Sequence, residues 1–124
     1  MNKSAAKPTI LICDDEEGIR ESFKLILEEG YDLKFATNGL EALEMLKTLS
    51  PHLMLLDIKM PKMHGMEILK QVKKLKPKLP VIIVTGYQSV EMSQEALKNG
   101  AADYIPKPFD SKQITKVVSH IIGN

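Results

Sequence analysis

Leu53-Met54-Leu55-Leu56-Asp57 places a carboxylate directly after four apolar residues, and the reading of this stretch decides the fold. The run lacks the apolar-polar alternation of a half-exposed strand, as befits a central parallel strand covered by helices on both faces. Asp57 then falls at the C-terminal edge of that strand, where an open α/β sheet places its chemistry. On this stretch alone, Asp57 reads equally well as the start of a turn before Lys59-Met60-Pro61. The ends of the other strands decide between the two.

Upstream, Thr9 to Cys13 is a predicted strand followed at once by Asp14-Asp15-Glu16-Glu17. These acids also open a helix whose apolar positions, Ile19, Phe23, Ile26 and Leu27, share one face of a 3.6-residue period. Early carboxylates suit the positive end of the helix dipole, and Gly30 is the expected C-cap. Tyr31 to Ala36 alternates apolar with charged residues, as a sheet edge does. Asn38 and Glu41 form a box-like capping pair for a second helix, with Leu40, Ala42, Leu43 and Leu46 facing the core and Ser50-Pro51 closing it.

Downstream, Gly65 opens a third helix carrying Met66, Ile68, Leu69, Val72 and Leu75, which ends at Lys76-Pro77. Pro80 to Thr85 repeats the design of the central strand, with a hydroxyl and then Gly86 at its end. A fourth helix near Ser89 to Asn99 has only Val90, Ala96 and Leu97 as a thin apolar face, so a weakly anchored element is expected before the stop at Asn99-Gly100. Ala101 to Ile105 is a short fifth strand leading into Pro106-Lys107-Pro108-Phe109. Asp110 caps a last helix with Ile114, Val117, Val118, Ile121 and Ile122 on its face. Five strand-helix units with right-handed crossovers predict a doubly wound α/β fold: a five-stranded parallel sheet in the flavodoxin-like order 2-1-3-4-5.

The length of 124 residues, with 44% apolar and 27% charged, fits one domain at 9–124 after a flexible segment at 1–8. Cys13 lies inside an apolar run and reads as core. No signal-peptide pattern follows the N-terminal lysines, and no run approaches the roughly 18 apolar residues of a membrane span, so a cytoplasmic protein without membrane contact is expected. A formal net charge of +1 argues against direct nucleic-acid binding. Lys70, Lys73, Lys74, Lys76 and Lys78 read as a solvated face, because no aromatic residues interleave them.

In the predicted order the chain reverses direction between the first and third strands, so Asp14, Asp15 and Asp57 meet in one crevice. Two carboxylates about 4 Å apart repel by roughly 4 kcal/mol at an effective dielectric near 20, so such a group needs protons or a cation. Oxygen ligands without a nearby histidine or thiolate point to Mg²⁺ or Mn²⁺ rather than Zn²⁺, since His52, His64 and His120 lie elsewhere in sequence. Mg²⁺ keeps waters and takes phosphate oxygens, so the site anticipates a phosphoryl group. Thr85 adds a hydroxyl and Lys107 an ammonium that either neutralises an oxygen or pairs with Asp57. Asp57 is the expected nucleophile, with Asp14 and Asp15 carrying the metal.

The set Ile10-Leu11-Ile12-Cys13-Asp14-Asp15, Leu55-Leu56-Asp57-Ile58-Lys59-Met60-Pro61, Val84-Thr85-Gly86 and Tyr104-Ile105-Pro106-Lys107-Pro108-Phe109 resembles the receiver domain of bacterial two-component response regulators. The resemblance runs from Thr9 to Ile122. It implies that Asp57 accepts a phosphoryl group from a phosphohistidine on a sensor histidine kinase or histidine phosphotransfer protein, or from small phosphodonors. It implies that Asp14, Asp15, Asp57 and the backbone carbonyl of Lys59 hold Mg²⁺, that Thr85 and Lys107 serve the phosphoryl group, and that Tyr104 is a rotating switch aromatic. On physical grounds alone, Tyr104 reads as well as a static half-buried ring. It further implies a cis bond at Lys107-Pro108 and self-catalysed phosphorylation and dephosphorylation in what is chiefly a signalling switch.

His64 stands where many members carry aspartate, a departure not expected to abolish phosphorylation. Lys59 and Tyr87 occupy positions that in this family tune hydrolysis, and their bulk is expected to slow loss of the phosphoryl group. Ile19 reads as core by a small margin over a docking contact. A downstream output protein or domain is implied, with a monomer or a weak phosphorylation-dependent dimer as the state. Two other readings on the same scaffold are a small-molecule phosphotransferase and a non-catalytic interaction or FMN-binding module. Asp14-Asp15 would repel the FMN phosphate, and no Gly-x-Gly-x-x-Gly or Walker loop is present.

Overall fold

The structure is a computed structural model that describes residues 7–59 and 65–123. Its elements alternate along the chain: β1 (Thr9–Cys13), α1 (Glu17–Leu27), β2 (Asp32–Ala36), α2 (Gly39–Leu46), β3 (Leu53–Leu56), α3 (Gly65–Leu75), β4 (Val81–Thr85), α4 (Val90–Lys98), β5 (Asp103–Pro106) and α5 (Ser111–Ile122). All pairings are parallel, in the expected order β2-β1-β3-β4-β5.

The strand pleat divides the core in two. Leu11, Cys13, Met54, Leu56, Val81 and Ile83 face α2, α3 and α4, whereas Ile10, Ile12, Leu53, Leu55, Ile82 and Val84 face α1 and α5. Every residue of β3 and β4 is buried, which is why neither strand alternates in sequence. At the β2 edge, Asp32 and Lys34 point to solvent. Phe23 of α1 stacks on Phe109, with ring centroids 4.8 Å apart, and fixes the start of α5 beside the sheet.

Several local expectations are corrected. Leu40 and Leu75, assigned to core faces, are 51% and 44% exposed because each lies at the rim of its helix's apolar stripe. In α4, Val90 and Leu97 are exposed, and Ala96 with half-buried Met92 does the anchoring. Helix α1 stops at a right-handed Glu28, and Gly30 takes no left-handed conformation; Gly100, with φ of 102°, does. Asn38 caps α2 through the Glu41 N–H, but the Glu41 carboxylate accepts from Thr37, one residue earlier than the box requires. The fifth strand begins two residues later than expected and includes Pro106. Met60 to His64 and residues 1–6 lie outside the described residues, including most of the segment expected to be flexible and the His64 departure.

Gly65 opens α3 because of close approach: a Cβ there would meet the Ile58 backbone. At Gly39 the facing atoms belong to the Ile68 side chain rather than to backbone, so the neighbour that must give is a side chain alone. Gly65→Ala is therefore expected to lower unfolding stability by about 1–3 kcal/mol, and Gly39→Ala by less. Urea denaturation checks this, and equal midpoints for Gly65→Ala and wild type would contradict it.

Candidate functional site

Backbone bonds just beyond the strands carry three side chains to one edge of the sheet. The Asp14 N–H donates to the Ala36 carbonyl at 3.1 Å, the Asp57 N–H to Cys13 at 3.0 Å and the Lys107 N–H to Thr85 at 2.8 Å. Asp57 thus follows β3 rather than ending it, held by the same kind of bond as the ladder. Among the described residues, the buried polar or charged side chains are Asp14, Asp57 and Thr85, all at this edge. An apolar core tolerates such groups only with partners.

The partners converge on Lys107. Its Nζ lies 2.8 Å from Asp14 Oδ2, 3.0 Å from Asp57 Oδ2 and 3.0 Å from Glu16 Oε1. The second oxygen of each buried aspartate is also engaged: Asp14 Oδ1 accepts the Glu16 N–H at 2.9 Å, and Asp57 Oδ1 accepts the Lys59 N–H at 2.8 Å. The Lys107-Pro108 bond is cis, and Gln88 Nε2 donates to the Lys107 carbonyl at 2.8 Å. Carboxylate oxygens of Asp14, Asp15, Glu16 and Asp57 all lie within 4.8 Å of one another. A cavity of about 420 Å³ opens over them, lined by Asp15, Glu16, Asp57, Lys59, Gly86 and Lys107.

One ammonium therefore pairs with three of the four clustered carboxylates, and the electrostatics follow. Burial works against the charge on Lys107, but bonds to Asp14, Glu16 and Asp57 outweigh it and hold the ammonium above its ordinary range. Asp14 is pushed up from the usual carboxylate value, chiefly by burial, because its share of Lys107 and the Glu16 amide do not offset lost hydration and the nearby Asp57. Cys13 is pushed up to about 12 by burial and then by Asp14 and Asp57, so it is a core thiol rather than a nucleophile.

Thr85 is fully buried at the end of β4, and its Oγ1 accepts only a long 3.5 Å contact from the Tyr87 N–H. Tyr104 is half-buried against the core face under α4, and its hydroxyl donates to the Tyr87 carbonyl at 2.8 Å. Lys59 lines the cavity, and its Nζ sits 5.5 Å above the Tyr87 ring, which brings the two expected hydrolysis-tuning side chains together. Ile19 is half-buried against the core under α1 and α5.

Sequence reasoning missed Glu16, read there only as a helix-opening acid. It occupies the N-cap of α1 but makes no side-chain capping bond. Glutamate is not among the favoured N-cap residues, and that mismatch in an Asp-Asp-Glu run was the available signal.

The family model for the response regulator receiver domain matches residues 10–119. The sporulation initiation phosphotransferase F of Bacillus subtilis is 43% identical over 110 residues, covering 88% of this chain and 89% of that protein. The regulatory protein AtoC of Escherichia coli is 37% identical over 114 residues, 91% of this chain, but the chain spans only 25% of AtoC's length. Among solved structures, a CheY-like response regulator receiver domain from Methanospirillum hungatei superposes with a TM-score of 0.90 at 38% identity, covering 95% of both chains. With the matched segment spanning every strand and the acidic edge, the chain belongs to the response regulator receiver domains, the phosphoacceptor modules of two-component signalling.

Proposed function

We propose that Asp57 is the phosphoacceptor, and the observation that carries this reading is its place in the site. It is a carboxylate only 3% exposed, with an ammonium 3.0 Å away and three further acids beside it. An Asp57 oxygen attacks the phosphorus of a phosphohistidine on a sensor kinase or phosphotransfer protein. The P–N bond breaks, its electron pair returns to the imidazole nitrogen, and an acyl phosphate forms. Lys107 moves its charge onto a phosphoryl oxygen, and the loosely held Thr85 hydroxyl donates to another.

The donor set fits a hard divalent cation: four carboxylates cluster with one ammonium that pairs with three of them, and no thiolate or imidazole joins the cluster among the described residues. Asp14, Asp15, Asp57 and the Lys59 carbonyl would hold Mg²⁺ or Mn²⁺. The ion supplies charge neutralisation at the transferring oxygens.

Switching follows from Thr85. Its movement toward a phosphoryl oxygen vacates space at the end of β4, and Tyr104 turns inward from the Tyr87 carbonyl. The surface of α4, β5 and α5 then changes, with thinly anchored α4 giving way most readily. Lys59 and Tyr87 shield the product from water. No helix among the described residues is long and apolar enough to cross a membrane, which supports a cytoplasmic site of action. The output is a separate protein or an attached domain. AtoC, of which the chain spans 25%, and the sporulation phosphotransferase, of which it spans 89%, illustrate both scales of relative.

Incubation with Mg²⁺ and acetyl phosphate is expected to add one phosphoryl group by intact mass, and Asp57→Asn to add none; a label elsewhere would overturn the assignment. The Lys59→Asn, Tyr87→Glu double variant is expected to lose its phosphoryl group faster, by about fivefold if shielding is worth ~1 kcal/mol. An equal or longer lifetime in the variant refutes the shielding role. With a beryllofluoride mimic bound, NMR should show altered exposure of the Tyr104 ring and shifted α4 amides, and unchanged spectra would remove the switch.

A further inference from the structure

We propose that Glu16 is a positioning residue for Lys107, a third holder that keeps the ammonium parked until phosphoryl transfer and then releases it. The inference rests on the reading of Asp57 as phosphoacceptor. Glu16 sits at the N-cap of α1, yet its side chain makes no capping bond and instead places Oε1 3.0 Å from Lys107 Nζ. A lysine ammonium has three N–H donors. Asp14, Glu16 and Asp57 engage them in the resting site, so an arriving phosphoryl oxygen must displace one holder.

The three holders differ in how readily they let go. The Asp14 and Asp57 side chains are 2% and 3% exposed, and each is pinned through its other oxygen by a backbone N–H. In the resting, metal-free site, breaking either bond leaves a buried carboxylate short of a partner, which is costly. The Glu16 side chain is 62% exposed and returns to water without that penalty. Glu16 is therefore the arm that yields.

Two consequences follow. While bound, Glu16 offsets part of the charge that Lys107 offers to an incoming anion, and its own charge repels the phosphodonor across the cavity mouth. After hydrolysis it recaptures the ammonium and restores the resting arrangement. Glu17, the first residue of α1, carries the same charge one position on and makes no such contact with Lys107, so it separates the specific contact from general charge.

The test compares wild type, Glu16→Gln and Glu17→Gln. In metal-free protein labelled with ¹⁵N-lysine, the Lys107 ammonium protons are expected to exchange with water severalfold faster in Glu16→Gln than in the other two. At saturating Mg²⁺ and low salt, Glu16→Gln should be phosphorylated by acetyl phosphate about three- to tenfold faster. The gain should lie in the dependence on phosphodonor concentration and shrink as salt rises, while Mg²⁺ affinity measured by calorimetry falls modestly. A merely structural role, a loosened start of α1, would slow phosphorylation and leave no salt dependence. Equal exchange rates, an equal acceleration in Glu17→Gln, or slower phosphorylation of Glu16→Gln at saturating Mg²⁺ would each overturn the proposal. If wild type takes no label at Asp57, the phosphoacceptor reading fails instead, and the metal-free exchange rates still decide whether Glu16 holds Lys107.

Discussion

Four carboxylates gathered around one ammonium are the constraint on which this structure turns. Asp14, Asp15 and Glu16 follow one strand, Asp57 a second and Lys107 a third, so the charge cluster exists only when β1, β3 and β5 stand in register. The backbone bonds that set this register, from Asp14, Asp57 and Lys107 to the neighbouring strand ends, are the bonds that aim the charges. The apolar interior backs the arrangement, and its surplus of negative charge is of the kind a hard divalent ion would offset. Folding and chemistry thus share one set of contacts at this edge.

The order of the sheet and the identity of the buried acids were legible because they follow from patterns with few alternatives. Two apolar runs, each leading into a polar residue, suit central strands, and β3 and β4 are buried throughout. Asp57 and Thr85 then had to lie at one edge. What was not legible depends on side-chain direction rather than spacing. Leu40, Leu75 and Leu97 carry the right residue type at helical spacing, yet point past the rim of their stripes. Glu16 was read as one acid among four at a helix start. Only the rotation of α1 against β5 reveals that it faces Lys107 while Glu17 does not.

Glycines divide in the same way. Gly100 was readable as a helix stop, since an Asn-Gly pair after a periodic run has that use, and its positive φ agrees. Gly65 was readable as a helix opening but not for its reason, the contact with the Ile58 backbone, which joins positions close in sequence across residues that periodicity does not describe. Gly30 follows a helix without a positive φ, a reminder that a glycine in the usual place does not prove the usual conformation.

The segment after β4 is fastened to β5 and to the residue that follows it, by the Tyr104 hydroxyl donating to the Tyr87 carbonyl and by Gln88 donating to the Lys107 carbonyl. One tie reaches the backbone of the lysine in the pocket, and the other reaches the half-buried Tyr104 ring packed on the α4 side of the sheet. A shift in this short span would therefore be felt at both ties at once, in the manner of a rocker arm. A substitution at Tyr87 or Gln88 would then bear on the pocket lysine's backbone and on the Tyr104 ring together.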